Sequence, residues 1–276
     1  MYNVKKTFGE GDDAIMLPAT RRQRIVELIQ EKKSATVTEM AEHFHITPET
    51  IRRDLKVLEK EGQLLRTHGG AFIQSGVENL VDTKLRMDIY IPQKTKIAKI
   101  ARQFVQNGDT IFLDNSTTDF YIARELREMR ITVVTNSLPI IQELAGCDSI
   151  HLVCIGGSYS RRENAFNGML TTDVLGQLYF DKCFISCRSV SIENGLTEST
   201  EEWCAIRKVA IQRSRYTYLA ADFSKFDQNS FAKVGDLSSI DAIITDSPLD
   251  PRWHQAMDAI GCRVYDGAGG KGGQTD

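Results

Sequence analysis

The sequence predicts an α/β chain in two parts: a small helical head closed by a hairpin, then a larger open sheet flanked by helices. Three observations predict it. Apolar residues between 22 and 58 recur at helical spacing. A glycine-containing segment follows at 62–72. Beyond residue 90, short β-branched runs alternate with amphipathic stretches, the pattern of an open, mostly parallel sheet.

With 276 residues, the chain has room for two domains. Hydrophobic residues at 41% and charged residues at 26% describe an ordinary globular protein. No apolar run approaches the roughly 18 residues of a membrane span. The N-terminus lacks the cationic-then-apolar order of a signal peptide, so a cytoplasmic location is expected. The expected division is a flexible leader at 1–19, a head at 20–73, a linker at 74–81, a second domain at 82–266 and a disordered tail at 267–276.

In the head, Arg22 to Glu31 carries Ile25, Leu28 and Ile29 on one side of a first helix. Val37, Met40, Ala41 and Phe44 give a second helix, and His45-Ile46 a tight turn. Thr47 then supplies a hydroxyl N-cap, Pro48 the first helical position and Glu49 an acid in the first turn of a third helix. Ile51, Leu55 and Leu58 turn inward, leaving Thr50, Arg52, Arg53 and Lys56 on faces that need no burial. Gly62 to Phe72 reads as two short strands around a turn, placing Arg66 and His68 to meet phosphate or a minor groove. Together these form a winged helix-turn-helix, whose last helix enters the major groove of double-stranded DNA. Thr47 and Pro48 set its start; Thr50, Arg52 and Arg53 are expected at bases or groove, and Lys56, Arg66 and His68 at phosphate. Asp54 and Glu59 are expected to pair with neighbouring cations.

Charge fits a specific reader. Residues 21–72 hold ten cations and eight anions, hence +2; the net charge of −3 leaves −5 for the remainder. A weakly basic head on an acidic body suits dimeric, sequence-specific binding better than indiscriminate coating of DNA.

Thr50-Ile51-Arg52-Arg53-Asp54-Leu55, Leu58-Glu59, Gly62 and Arg66-Thr67-His68-Gly69-Gly70-Ala71 together resemble the signature of the DeoR/GlpR-type bacterial repressors. The motif is long and ordered, so the signal is specific.

Seven strands are expected in the second domain, at 110–113, 131–134, 150–155, 182–186, 217–221, 242–245 and 263–265. Helices are expected at 93–106, 119–128, 138–145, 171–179, 201–214 and 252–260. Ligands of such sheets bind beyond the carboxyl ends of the strands, and these ends are polar. One is Asp114-Asn115-Ser116-Thr117-Thr118, whose hydroxyls and helix N-terminus suit an anion. Others are Thr135-Asn136-Ser137, Gly156-Gly157 with Arg162 behind, and Asp222 with Lys225.

The same resemblance extends through these motifs and covers about residues 20–265. It implies a sensor domain similar to the ribose-5-phosphate isomerase fold, responsive to phosphorylated sugars or related metabolites. It implies that Ser116, Thr117 and Thr118 hold a phosphate or carboxylate, that Asp114 and Asp222 bind hydroxyls, and that Lys225 with Arg207 or Lys208 supplies positive charge. Two departures bear on the effector: Ser116 stands where the family pattern has glycine, and Ser186 to Ser191 replaces a glycine-rich stretch. Arg188 in that stretch is either an anion contact or a surface residue.

Six cysteines, none spaced as Cys-x-x-Cys, give no reason to expect a metal, and no cofactor is expected. Cys154 and Cys183, inside apolar runs, are expected to be buried thiols. The leading function is a repressor of a carbohydrate-utilisation operon, released from operator DNA by a phosphorylated sugar or sugar acid and acting as a homodimer or homotetramer. Two alternatives stand beside it: a sugar-phosphate isomerase-like enzyme with a DNA-binding head, and an architectural DNA-binding protein without a ligand.

Overall fold

The computed structural model describes residues 17–32, 34–67, 69–72 and 83–267. His68, the linker at 74–81 and nearly all of the expected leader and tail lie outside the described residues. Contacts divide the chain into Met1–Val77 and Glu78–Asp276.

The first unit runs α1 (Pro18–Lys32), β1 (Ser34–Thr36), α2 (Val37–Phe44), α3 (Pro48–Lys60), β2 (Leu65–Arg66) and β3 (Gly70–Phe72). The expected stripes close one core: Ile25, Leu28 and Ile29 of α1 meet Met40 and Ala41 of α2 and Ile51, Leu55 and Leu58 of α3. Each large side chain so buried contributes roughly 1.5–3 kcal/mol, far more than any surface ion pair on the unit. Three features differ from expectation. Helix α1 starts at Pro18, inside the expected leader. Strand β1, not expected, pairs with β3 to make an antiparallel sheet in the order β1-β3-β2. Thr36 and Glu39 form a reciprocal capping box at the start of α2, with Glu39 N–H on Thr36 Oγ1 at 3.1 Å and Thr36 N–H on Glu39 Oε2 at 2.8 Å.

The second unit continues with α4 (Thr83–Met87), α5 (Ile91–Arg102), β4 (Thr110–Leu113), α6 (Thr117–Glu125), β5 (Ile131–Thr135), α7 (Leu138–Leu144) and β6 (Ile150–Cys154). Then come β7 (Ser158–Ser160), β8 (Ala165–Asn167), α8 (Met169–Leu175), β9 (Phe180–Ile185), β10 (Ser189–Ser191) and β11 (Gly195–Glu198). The chain ends with α9 (Glu201–Gln212), β12 (Ser214–Ala220), β13 (Ala232–Gly235), β14 (Ala242–Ile244), α10 (Pro251–Ile260) and β15 (Arg263–Tyr265).

All seven expected strands join one parallel sheet in the order β15-β14-β12-β9-β4-β5-β6. Successive residues point to opposite faces, and both faces are covered. Ile111, Leu113, Val133, Phe184 and Ile244 pack with Ile97 of α5, Ile122 of α6 and Ile140 of α7. Phe112, Val134, Cys183 and Ile185 pack with Leu175 of α8 and Trp203 and Ile206 of α9. Leu219 and Ile243 pack with Trp253 of α10. That double burial is why these strands read as near-continuous apolar runs.

Two small sheets were not expected: the β7-β8 hairpin and the antiparallel β10-β11-β13 sheet. Cys183 is buried as expected, but Cys154 is exposed, because β6 is the edge strand of the sheet. No helix among the described residues is long and apolar enough to cross a membrane.

Candidate nucleic-acid interface and effector site

Helix α3 begins as its sequence requires. Thr47 is its N-cap in extended conformation (φ −71°, ψ 148°), its Oγ1 accepting from Thr50 N–H at 3.3 Å, with Pro48 in the first turn. The Thr47 and Thr50 hydroxyls meet at 3.0 Å. His45 ends α2 in the left-handed region at φ 53°, which makes the tight turn. An open groove of about 610 Å³, lined by Thr38, Glu42, His45, Thr47 and Pro48 among others, lies where α2 meets the start of α3.

Arg52, Arg53 and Lys56 are exposed. Arg52 lies 3.6 Å from Glu49, an exposed pair worth little. Arg53 and Lys56 have no carboxylate partner among the described residues. Their charge is therefore available to a polyanion. Arg66 is held on α3, its Nε 3.1 Å from Glu59 and its Nη1 3.2 Å from the Arg52 carbonyl. Asp54 is buried and takes Arg21 at 2.6 Å and Arg22 at 3.7 Å, tying α1 to α3. Asp54 and Glu59 thus pair with neighbouring cations, as expected.

In the second unit the sheet order reverses direction between β9 and β4: the chain proceeds from β4 outward through β5 and β6, and from β9 outward through β12, β14 and β15. A crevice opens beyond the carboxyl ends of the strands at such a point. Asp114 and Ser116 follow β4 there, and Ser186 to Arg188 follow β9.

Asp114, with no exposed surface, joins the two sides. One oxygen accepts from Ser116 N–H at 2.5 Å; the other accepts from Ser186 N–H at 3.1 Å and pairs with Arg207 at 2.9 Å. Its backbone N–H donates to Asp119 at 2.8 Å. Full burial, then the neighbouring Asp114 charge, push the Asp119 carboxyl well above the usual range. Ser116 caps α6, accepting from Asp119 N–H at 2.9 Å. The backbone N–H groups and hydroxyls of the buried Thr117 and Thr118 have no hydrogen-bond partner among the described residues. They form the anion-ready feature of this end.

Arg207 is a structural cation rather than a spare one. Besides Asp114 it reaches Glu198 at 3.3 Å, the Ser186 carbonyl at 2.5 Å and Asn115 at 3.5 Å. Burial alone would push the Glu198 carboxyl up, but Arg207 and Arg188 outweigh it and hold it below the usual range. Arg188 is buried, not a surface residue. Glu163 behaves like Glu198: burial is outweighed by Arg86, Arg188 and the Thr83 hydroxyl, 3.1 Å away.

Other expected residues hold structure. Thr135 Oγ1 accepts from Ser137 N–H, and Asn136 Nδ2 donates to the Phe166 carbonyl at 2.8 Å, docking the β7-β8 hairpin; Asn136 Oδ1 is buried without a hydrogen-bond partner among the described residues. Gly157 is needed for packing: a Cβ there would lie 2.2 Å from Thr171 Oγ1 and 2.5 Å from the Asn167 carbonyl. Gly156 is exposed and a Cβ there would meet nothing within 4 Å; its carbonyl accepts from the Thr171 hydroxyl at 2.9 Å. Arg162 is exposed and 3.7 Å from Glu163. Lys208 is corrected: it is exposed on α9, about 100° round the helix from the inward-facing Arg207, so the structure does not bring it to the crevice. Asp222 is buried and caps the Phe223–Lys225 turn through Ser224. Burial pushes the Cys187 thiol up to about 12, against the opposing charges of Arg207 and Lys225.

Sequence reasoning did not single out Thr83, Arg86, Glu163 or Glu198. They are scattered over 116 positions and share no motif, so only the fold brings them together. An open groove of about 420 Å³ between α4, α6 and α7 has Thr83, Phe120 and Asn164 in its wall but none of the expected effector residues. No cluster that could hold a metal occurs among the described residues.

Comparison with known proteins agrees with this division. Residues 21–76 match the DeoR-like helix-turn-helix domain and residues 90–247 the DeoR C terminal sensor domain. The HTH-type transcriptional regulator YulB of Bacillus subtilis is 37% identical over 243 residues, 88% of this chain and 94% of that one. The glycerol-3-phosphate regulon repressor of Escherichia coli is 30% identical over 234 residues, 84% and 92% of the two chains. Among solved structures, ribose 5 phosphate isomerase A of Neisseria gonorrhoeae is a distant likeness, with 18% identity, 48% of this chain and 52% of that one covered, and a TM-score of 0.36. The relatives are regulators, which removes the isomerase reading. An exposed cationic helix face, and two domain matches that span most of the chain, carry one conclusion: the protein belongs to the DeoR family and is a DNA-binding transcriptional regulator.

Proposed function

We propose that the protein represses a carbohydrate-utilisation operon and is released from operator DNA when a small phosphorylated sugar or sugar acid binds at the β4–β9 crevice. The observation that carries this reading is the start of α6, where the N–H groups and hydroxyls of Thr117 and Thr118 lack partners among the described residues at the point where the sheet order reverses. Those four donors, with the helix dipole behind them, match the oxygens of a phosphate or carboxylate. The glycerol-3-phosphate regulon repressor among the relatives supports looking for the effector among small phosphorylated polyols.

Of the expected cations, Arg207 is already compensated by the buried carboxylates of Asp114 and Glu198. The anionic group is therefore held chiefly by hydrogen bonds at α6, with Lys225 as the added charge and Asp222 beside it for hydroxyls. In the reading head, Thr50, Arg52 and Arg53 face the major groove and Lys56 and Arg66 the phosphates. Two heads are needed for a two-fold operator, which makes the working species a homodimer or homotetramer.

The test is thermal unfolding of the full chain against a panel of sugar phosphates and sugar acids, repeated on Lys225→Ala and Thr117→Val. One compound should raise the wild-type Tm and lose its effect in both variants. A compound that stabilises all three proteins equally places the site elsewhere. A panel without effect rejects this effector class.

A further inference from the structure

We propose that the outer face of α8, formed by Met169, Leu170 and Val174 with Tyr179 beyond them, is the surface on which two copies of this chain associate. Such a pair supplies the two heads that the operator reading needs, and only its purpose rests on that reading.

Helix α8 is anchored by its other side. Thr171 and Leu175 have no exposed surface, and the Thr171 hydroxyl donates to the Gly156 carbonyl at 2.9 Å. With that side packed, positions 169, 170, 173 and 174 turn outward together, because residues three and four apart share a helix face. Three of the four are apolar: Met169 is 79% exposed, Leu170 70% and Val174 46%. Neighbouring helices of this unit turn charge outward instead, Lys96 and Lys99 on α5, Arg124 and Glu125 on α6, Glu201 and Lys208 on α9.

The end of α8 and Tyr179 follow one edge of α9, with Gly176 against Val209 and Tyr179 against Arg213 one turn further on. Tyr179 is 72% exposed yet fixed: its hydroxyl accepts from Arg213 Nη1 at 2.9 Å, and the guanidinium lies 5.1 Å over its ring. An exposed side chain already held in one place loses little freedom when a partner covers it.

A second copy is the occupant these features fit. Four large side chains, 46 to 79% exposed, make an apolar area at the level of the largest patch a monomer ordinarily keeps, roughly 300–600 Å². Ringed by polar groups, such an area is the centre of a standard interface of roughly 800 Å² per partner. Met, Tyr and Arg are also the residue types that interface centres favour. Charge at the face is of both signs, Asp173 on α8 and Arg213 beside Tyr179. A two-fold contact can set each copy's acid against the other's cation, whereas a partner of single sign meets like charge at one end.

Sedimentation velocity of the full chain at micromolar concentration, without DNA or effector, tests the face. The wild type is expected to sediment as a dimer or larger. Leu170→Glu places an unpaired carboxylate in the contact and should raise the dissociation constant roughly thirtyfold or more, as loss of a hot-spot side chain does. Phe231→Glu alters another exposed apolar residue, on the loop before β13, and should leave the assembly unchanged. Far-UV circular dichroism checks that each variant is folded; should Leu170→Glu fail, Met169→Lys probes the same face. An assembled wild type that neither folded variant weakens, or that Phe231→Glu weakens equally, overturns the face and leaves the two-headed reading standing. A monomeric wild type overturns both. The effector crevice stands apart, since its test is ligand stabilisation lost in Thr117→Val.

Discussion

The two units use polar residues in opposite ways. In the first unit the cations proposed to meet DNA sit on the outside of one helix, and Arg53 and Lys56 keep their charge available. In the sensor unit the polar residues at the strand ends are buried, and most are engaged with one another. An exposed cation awaits a partner of opposite charge and costs the fold almost nothing. A buried one must be compensated before any ligand arrives. The contrast separates residues that contact a partner from residues that hold the contacting ones in place.

The largest expected effect tests that separation. Arg207→Ala leaves Asp114 and Glu198 buried without their cation and should destabilise the sensor unit by about 3–5 kcal/mol, read by urea unfolding. Little change in stability would mean that Arg207 is a ligand contact after all. Arg53→Ala should do the reverse, with unfolding unchanged and operator affinity lower by about 1–3 kcal/mol. A parallel loss of stability would place Arg53 in the fold. Lys56→Ala should weaken binding uniformly across DNA sequences and reduce the salt slope by about one.

Two smaller effects sharpen the comparison. Thr36→Ala removes the capping box of α2 and should cost about 1 kcal/mol by thermal unfolding. Asp119 gives a pH signature. Its folded value is raised, so its contribution is fully present below the ordinary carboxylate range and is lost as pH rises through the folded value. Asp119→Asn should therefore be more stable than the wild type at neutral pH, with the advantage vanishing in acid. Glu163 and Glu198, whose values are lowered, run the other way: their stabilisation is present above the ordinary range and lost as pH falls through their folded values.

The head was legible in the sequence because its information is local. Helix periodicity gave the core, and Thr47-Pro48-Glu49 gave the start of α3. The capping box at Thr36 was equally local, as Thr-x-x-Glu, yet the helix was expected without it. In the sensor unit the seven sheet strands were legible from apolar runs, whereas β10, β11 and β13 were not, because short polar strands acquire meaning only from distant partners. The expected site residues divide on the same ground. Ser116, Thr117 and Thr118 are contiguous, and the start of α6 gathers them. Arg207 and Lys208 are adjacent in sequence, but only the helix phase decides which one faces Asp114. Glu163 and Glu198 owe their place to pairings that no spacing encodes.

The most direct measurement is an anisotropy titration of labelled DNA from upstream of the protein's own gene, at fixed salt, with and without the sugar-phosphate panel. The expected result is sequence-specific binding by the wild type, released by one compound, with release lost in Thr117→Val while DNA affinity is kept. Specific binding that the same compound still releases from Thr117→Val would contradict the crevice as the sensing site.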